Sequence, residues 1–511
     1  MDEIHDECGI AAVSLKKNGK ALFYLYRLLL NLQNRGQLSA GVTTYNKNRP
    51  QLINTYRNMG TVNEVFKTSS IQKSMDIFKW YSGNKGIGHV RYATFGSDNR
   101  TYAQPFERKH GRMWKWFSFC FNGNLVNFEE LKKPLAEKTE YHFILNNDTE
   151  IIMHYLAREL KGSRKPPLLN VFRNISRKFD GAYNIAFIDA YGDLVICRDP
   201  LGFRPLCYAI EDGNLFAASE SNALINVGLH NFKSLEPGKL IRIQNGDIKI
   251  ERFAASKRKA HCMFEWVYFA NVSSVLDERS VYLARTNLGK ELAKLEKENI
   301  SKEHIVVPVP DTAKAAGDAF AYELGLPSME GLIRNRFVGR TFIEGSKRDD
   351  KVLNKYTVIK EILKGKKVLL VDDSIVRGTT SKRIVSFLKG VGGAKEVHLR
   401  VTCPPIKSPC FYGIDMSTVS ELLVPAYEKK LDPENISDEV CDKIAKDMGA
   451  DSLVYQTIPG LVRSIGLPKE NLCLGCLTGK YPTPCGRAMH CKALKDFKAG
   501  RKGKRSYESC G

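Results

Sequence analysis

No apolar run in this chain approaches the roughly 20 residues that an α-helix needs to cross a bilayer. The nearest, residues 21–32, is too short and carries Arg27. No basic, apolar leader opens the chain. Residues 1–7 read Met-Asp-Glu-Ile-His-Asp-Glu, which is acidic and wrong for a signal or transit peptide. A dense cysteine grid is missing too. Thirteen cysteines, an odd number, are scattered over 511 residues, which excludes a secreted disulfide scaffold. These absences point to a soluble, cytoplasmic chain. The net charge of +22 favours anionic ligands. Yet Lys and Arg are spread over nearly every segment and no helix reads as a basic stripe. A nucleic-acid partner is therefore not expected. With 43% hydrophobic and 26% charged residues, the chain is globular and long enough for two or three full cores.

One stretch organises the rest. Lys366 and Lys367 precede a short apolar run, Val368 to Val371. Asp372 and Asp373 follow, then Ser374-Ile-Val-Arg377-Gly378-Thr379-Thr380-Ser381. The run predicts a buried, central parallel strand. Residues 382–389 have helical apolar spacing. A strand, an acidic pair, a loop of hydroxyls with one glycine and a helix make a sugar-phosphate site. Loop N–H groups and a helix N-terminus can hold a phosphate. The carboxylates would repel it, so they face ribose hydroxyls, directly or through Mg²⁺. Ligands of open parallel sheets bind at this carboxyl edge.

The string Val-Leu-Leu-Val-Asp-Asp-Ser-Ile-Val-Arg-Gly-Thr-Thr resembles the phosphoribosyl-diphosphate (PRPP) motif of the type I phosphoribosyltransferases. In its Asp-Asp-Ser-Ile-Val-Arg-Gly-Thr-Thr form it is similar to that of the glutamine-dependent amidophosphoribosyltransferases. The resemblance implies PRPP binding by Asp372, Asp373, Ser374, Arg377, Gly378, Thr379 and Thr380. It also implies an α/β type I phosphoribosyltransferase domain with a parallel sheet.

The front of the chain reads Asp6-Glu7-Cys8-Gly9-Ile10. Were residues 1–7 removed, Cys8 would carry a free α-amine. Such an amine, of pKa about 7.7–8.0, can serve as base for its own thiol. Further strings follow: Leu32 to Gly41, Gly86 to Thr94, Ala103 to Phe106, Phe121 to Leu125, Asn147 to Glu150, Asp180 to Tyr183, and Arg198 to Leu206. Together, over about 230 residues, they resemble the class II glutamine amidotransferase domain. That implies an α+β Ntn-hydrolase fold, an αββα sandwich. It makes Cys8 the nucleophile, with Asn122 and Gly123 as the oxyanion hole. Arg91 would bind the glutamine carboxylate and Asp148 its α-ammonium. Two positions depart from the family pattern: Asn34 replaces the usual His, and Leu38 the usual acid. The leader looks like a propeptide cut at Glu7–Cys8.

Residues 235–250 read as a turn and a terminal hairpin, and the chain then becomes basic and irregular. This divides it into a propeptide (1–7), an amidotransferase domain (8–250), a phosphoribosyltransferase domain (251–470) and a C-terminal segment (471–511). The second half alternates helices and apolar strands, as parallel α/β sheets do. Ile305 to Ala313 resembles the family's diphosphate-binding loop, with Thr312 as a possible Mg²⁺ contact beside Asp372 and Asp373. Residues 334–343 resemble its flexible loop, so Arg340, with Lys355, would touch PRPP.

Cys473 and Cys476 form a CxxC, which alone fits zinc, redox or chance. Cys262 and Cys410 stand in contexts like those of the same family. In one branch of it, these four ligate a [4Fe–4S] cluster; zinc would accept four thiolates as well. Residues 492–511 hold seven basic and two acidic residues with no apolar period, and a disordered tail is expected. Cys485, Cys491 and Cys510 receive no role.

The resemblance, over residues 6–482, implies conversion of glutamine, PRPP and water to 5-phosphoribosylamine, glutamate and diphosphate. This is the first committed step of purine synthesis. It also implies a homotetramer inhibited by purine nucleotides, and an internal path for ammonia. A PRPP-sensing transcriptional regulator would need a DNA-binding helix pair in front, where Cys8, Asn122-Gly123 and Asp148 stand instead. A sugar-phosphate amidating enzyme would lack the 372–380 string.

Overall fold

A computed structural model describes residues 8–501, apart from 18, 93–98, 138–142, 146, 336–355, 415, 417 and 429–435. Residues 1–7, expected to be a propeptide, and Arg340, Lys355 and Cys510 lie outside the described residues.

The first 250 residues form two antiparallel sheets. One has seven strands, with Gly9–Ser14 between Asn214–Ala218 and Lys85–Arg91. The other has six, with Gly181–Asp189 between Phe117–Leu125 and Leu194–Arg198. The period of two explains the layering. Ile10 and Ala12 enter a core shared with Ala186, Ile188 and Ile196 of the other sheet. Ala11 and Val13 face the opposite way, against Leu22, Leu25 and Leu29 of the helix Ala21–Asn31. Ile185 and Phe187 likewise face Ile151, Ile152 and Phe172 of the helices Asp148–Glu159 and Leu168–Ser176. Three apolar cores thus separate four layers in the order helix, sheet, sheet, helix. The terminal hairpin is present, pairing Lys239–Gln244 with Asp247–Arg252.

The second half is built on four parallel strands in the order His304–Pro308, Lys367–Asp372, Glu396–Val401 and Ser452–Tyr455. The apolar run thus occupies an inner strand, and Val368 to Val371 are fully buried. The helix after it spans Thr379–Gly390, beginning three residues before the apolar spacing suggests. Gly378 adopts φ 81°, turning the chain so that Thr379 to Ser381 form the first helical turn. A side chain at Gly378 would meet Met448 Cε at 2.6 Å.

Asn122 and Gly123 lie inside the strand Phe117–Leu125. One further expectation is corrected: the tail is not disordered throughout, since Pro484–Lys498 is a helix. Thr483 caps it by accepting from Gly486 N at 3.1 Å, and Pro484 opens it. Met489 and Ala493, one helical turn apart, pack on the cluster of Phe203, Tyr412 and Tyr481. Among the described residues no helix is long and apolar enough to cross a membrane.

Candidate active site

Cys8 stands at the mouth of the two-sheet sandwich. Gly9 pairs with Val90, so Cys8 opens the same strand end that Arg91 closes. Arg35 Nε donates to Cys8 O at 3.2 Å. Its guanidinium is 1% exposed and bridges Glu220 and Glu265, each at 2.8 Å. Gly36 lets this segment lie against Arg91, because a Cβ there would sit 2.5 Å from the Arg91 carbonyl carbon. Arg91 is 5% exposed and lies 5.4 Å from the centre of the Tyr102 ring.

The second sheet delivers Asn122 and Gly123 to the same end. Cys120 Sγ faces Gly88 O at 3.4 Å, and His89 Nε2 meets Phe121 O at 3.1 Å. Burial pushes the His89 imidazole down to about 3, so it is neutral and donates through Nε2. Gln104 Oε1 accepts from Phe121 N at 2.8 Å, so both backbone groups of Phe121 are held by side chains. The next residue, Asn122, is 2% exposed, and its Nδ2 meets no acceptor among the described residues. Gly123 has φ 146°; a Cβ would lie 2.0 Å from Ala182 O. Asp148 starts its helix beside Leu125. Burial pushes its carboxyl up to about 6, partly offset by hydrogen bonds from the Leu125 and Thr149 backbone. Cys8, Arg91, Asn122, Gly123 and Asp148 are thereby brought to one end of the sandwich.

The acidic pair ends the inner parallel strand. Asp372 and Asp373 are 8% and 5% exposed. Asp373 accepts from Ser374 Oγ at 2.7 Å and from Thr312 Oγ1; Asp372 accepts from its neighbour's N–H at 2.9 Å. They line a cavity of about 370 Å³ with Thr312, Ser374, Gly378 and Thr380. Arg377 instead reaches Glu421 at 3.5 Å. Asn34 and Gln37, from the segment that touches Cys8, form part of the same cavity wall. Residues 268–272 line it as well, and Arg35, next to Asn34, is the contact to Cys8.

The four cysteines of the second half also draw together. Cys262 and Cys473 are register partners in a short parallel pair. Cys410 Sγ accepts from Tyr412 N at 3.3 Å. Burial, then Cys410, Cys473 and Cys262, push the Cys476 thiol well up. Among the described residues no group of three or more His, Cys, Asp or Glu is set to hold a metal ion.

Two family models match. One, described as a glutamine amidotransferase domain, covers residues 73–235, and one described as a phosphoribosyl transferase domain covers residues 280–410. The amidophosphoribosyltransferase of Methanothermobacter thermautotrophicus is 39% identical over 488 residues, 94% of this chain and 96% of that protein. The chain belongs to the amidophosphoribosyltransferase family. The Bacillus subtilis member is 34% identical, over 94% of this chain and 95% of its own. A solved B. subtilis glutamine PRPP amidotransferase, complexed with ADP and GMP, superposes with a TM-score of 0.80 at 34% identity. It covers 94% of this chain and 98% of that one. The family's two domains, an Ntn-type amidotransferase and a phosphoribosyltransferase with a parallel sheet, are the two halves described above.

Three residues that matter here had no role in the sequence reading. Arg35 lay inside the segment Leu32 to Gly41 and Glu265 in the context of Cys262, but Glu220 lay in neither. Glu220 and Glu265 are 185 and 230 positions from Arg35, beyond any local pattern.

Proposed function

We propose that Cys8, freed of residues 1–7, attacks the amide carbon of glutamine while its own α-amine takes the thiol proton. Asn122 Nδ2 and Gly123 N–H receive the developing oxyanion. The unpaired Nδ2 of buried Asn122 carries this reading, because a buried donor kept without an acceptor suits a charge that appears only during reaction. Ammonia leaves, and water hydrolyses the thioester to glutamate. Arg91 pairs with the glutamine carboxylate and Asp148 with its α-ammonium.

In the second half, ammonia attacks the ribose C1 of PRPP and diphosphate departs. Asp372 and Asp373 hold the ribose hydroxyls. Ser374, Gly378, Thr379 and Thr380 hold the 5-phosphate at the helix start. Arg377, Arg340 and Lys355 complete the PRPP contacts. Thr312, Asp372 and Asp373 fit Mg²⁺, which takes oxygen ligands and keeps several waters. When bound, it would neutralise charge on the departing diphosphate. Cys262, Cys410, Cys473 and Cys476 are the residues that would hold a [4Fe–4S] cluster, which would staple residues 472–476 to the strand at 261–262. The domain division near residue 250, a cytoplasmic homotetramer and inhibition by purine nucleotides belong to the same reading.

Two measurements test these assignments. Intact mass and N-terminal sequencing of active protein are expected to show a chain beginning at Cys8, with about four irons and four sulfides per chain. An active chain starting at Met1, or one holding zinc instead, contradicts them. The pH profile tests Asp148. Its carboxyl, raised to about 6, is neutral below that pH and cannot pair with an ammonium. The kcat/KM for glutamine is therefore expected to fall as pH drops through about 6, since that ratio reports the free enzyme. A profile flat from pH 7 to 5 contradicts the role.

A further inference from the structure

Asn34 bridges the two sites. Its neighbour Arg35 donates to Cys8 O, and Asn34 itself lines the cavity of Asp372 and Asp373. Its amide has one orientation. Nδ2 faces two acceptors, Glu220 Oε1 at 2.8 Å and Phe269 O at 3.3 Å. Flipping the amide would set oxygen against oxygen twice. Oδ1 is thereby turned away from both. It is buried, and no donor meets it among the described residues. A buried carbonyl left without a donor is destabilising, so something else is expected to use it.

The surrounding groups narrow what that is. Arg35 and Arg204 are buried here with Glu220 and Glu265, and Arg285 lines the same cavity as Asn34, Asp372 and Asp373. Arg285 donates to the carbonyls of Trp266, Tyr268 and Ala270. A small molecule stopping here must bring an N–H or O–H to Oδ1.

We propose that Asn34 Oδ1 accepts a hydrogen bond from ammonia as it passes from the Cys8 site to the Asp372–Asp373 cavity. The inference rests on the two-site reading above. No covalent bond forms or breaks at Asn34; NH₃ donates one N–H and keeps its lone pair for the ribose carbon. A neutral amide suits this better than a carboxylate, which would favour ammonium, a form with no lone pair. Asn34 is thus a positioning residue whose loss lets ammonia escape rather than stopping either half-reaction.

The test is the ratio of glutamate formed to diphosphate released, with glutamine and PRPP as substrates and glutamine as the sole nitrogen source. Wild type is expected near one to one. Asn34→Leu, close in volume, is expected to raise the ratio about threefold or more, with each half-reaction assayed alone falling less than the coupled product does. Glu220 keeps Arg35, Asn271 N and Ser274 Oγ as donors, so the network survives this change. Asn34→Ala repeats the measurement should Leu not fold. Ser274→Ala removes a donor to Glu220 Oε2 but leaves Glu220 Oε1 facing the Asn34 amide, and its ratio is expected to stay near that of wild type. An unmoved ratio in Asn34→Leu, or an equal rise in Ser274→Ala, overturns the role of Asn34. Wild-type protein that releases no diphosphate with glutamine or ammonium overturns the two-site reading itself.

Discussion

Replacing Asp372 and Asp373 together by Asn is expected to abolish synthesis from glutamine and from ammonium alike, by at least about a thousandfold. Asp372 ends the inner strand, Asp373 follows it, and both are buried. Asn keeps their size. It also keeps an oxygen able to accept from Ser374 Oγ or Thr312 Oγ1, so the loop is expected to hold its shape. What disappears is the negative charge, and with it the grip on ribose hydroxyls and Mg²⁺. Both nitrogen sources meet the same ribose carbon, so both fail together. Diphosphate release is the readout. A double variant that still makes product from either source contradicts the placement of PRPP.

Cys8→Ala divides the two sources instead. Glutamine-dependent synthesis is expected to fall by at least about a thousandfold, because no other group can form the thioester. Ammonium-dependent synthesis is expected to persist, because no atom of Cys8 lines the cavity of the acidic pair. The two half-sites share walls, not reacting groups. Loss of both activities in Cys8→Ala would mean that the sites are not separable.

The sequence made these sites legible to different degrees. The strand at 367–372 could be read because its apolar run is bounded by charges and followed by a glycine that turns the chain. The strings around Cys8, Arg91 and Asn122 could be read as an ordered set, and the two sheets bring them to one end. Local pattern misled at Thr379 to Ser381, whose hydroxyls suggest a loop, although Gly378 at φ 81° lets them start the helix. It misled again in the tail, where counting charges hid the cap at Thr483 and the Met489–Ala493 pair. The Arg35–Glu220–Glu265 network was invisible because its members meet only after two sheets and the following segment have folded. The same holds for Asn34. Its departure from the family pattern was plain, but its orientation depends on Glu220 and Phe269, far along the chain.

The central claim is that nitrogen released at Cys8 reaches the acidic pair without entering bulk water. Glutamine labelled with ¹⁵N in its amide, supplied with PRPP and a large excess of unlabelled ammonium, tests it most directly. At a pH where ammonium is almost wholly protonated, phosphoribosylamine carrying predominantly ¹⁵N is the expected product. Product whose label matches the bulk ammonium pool would contradict the account.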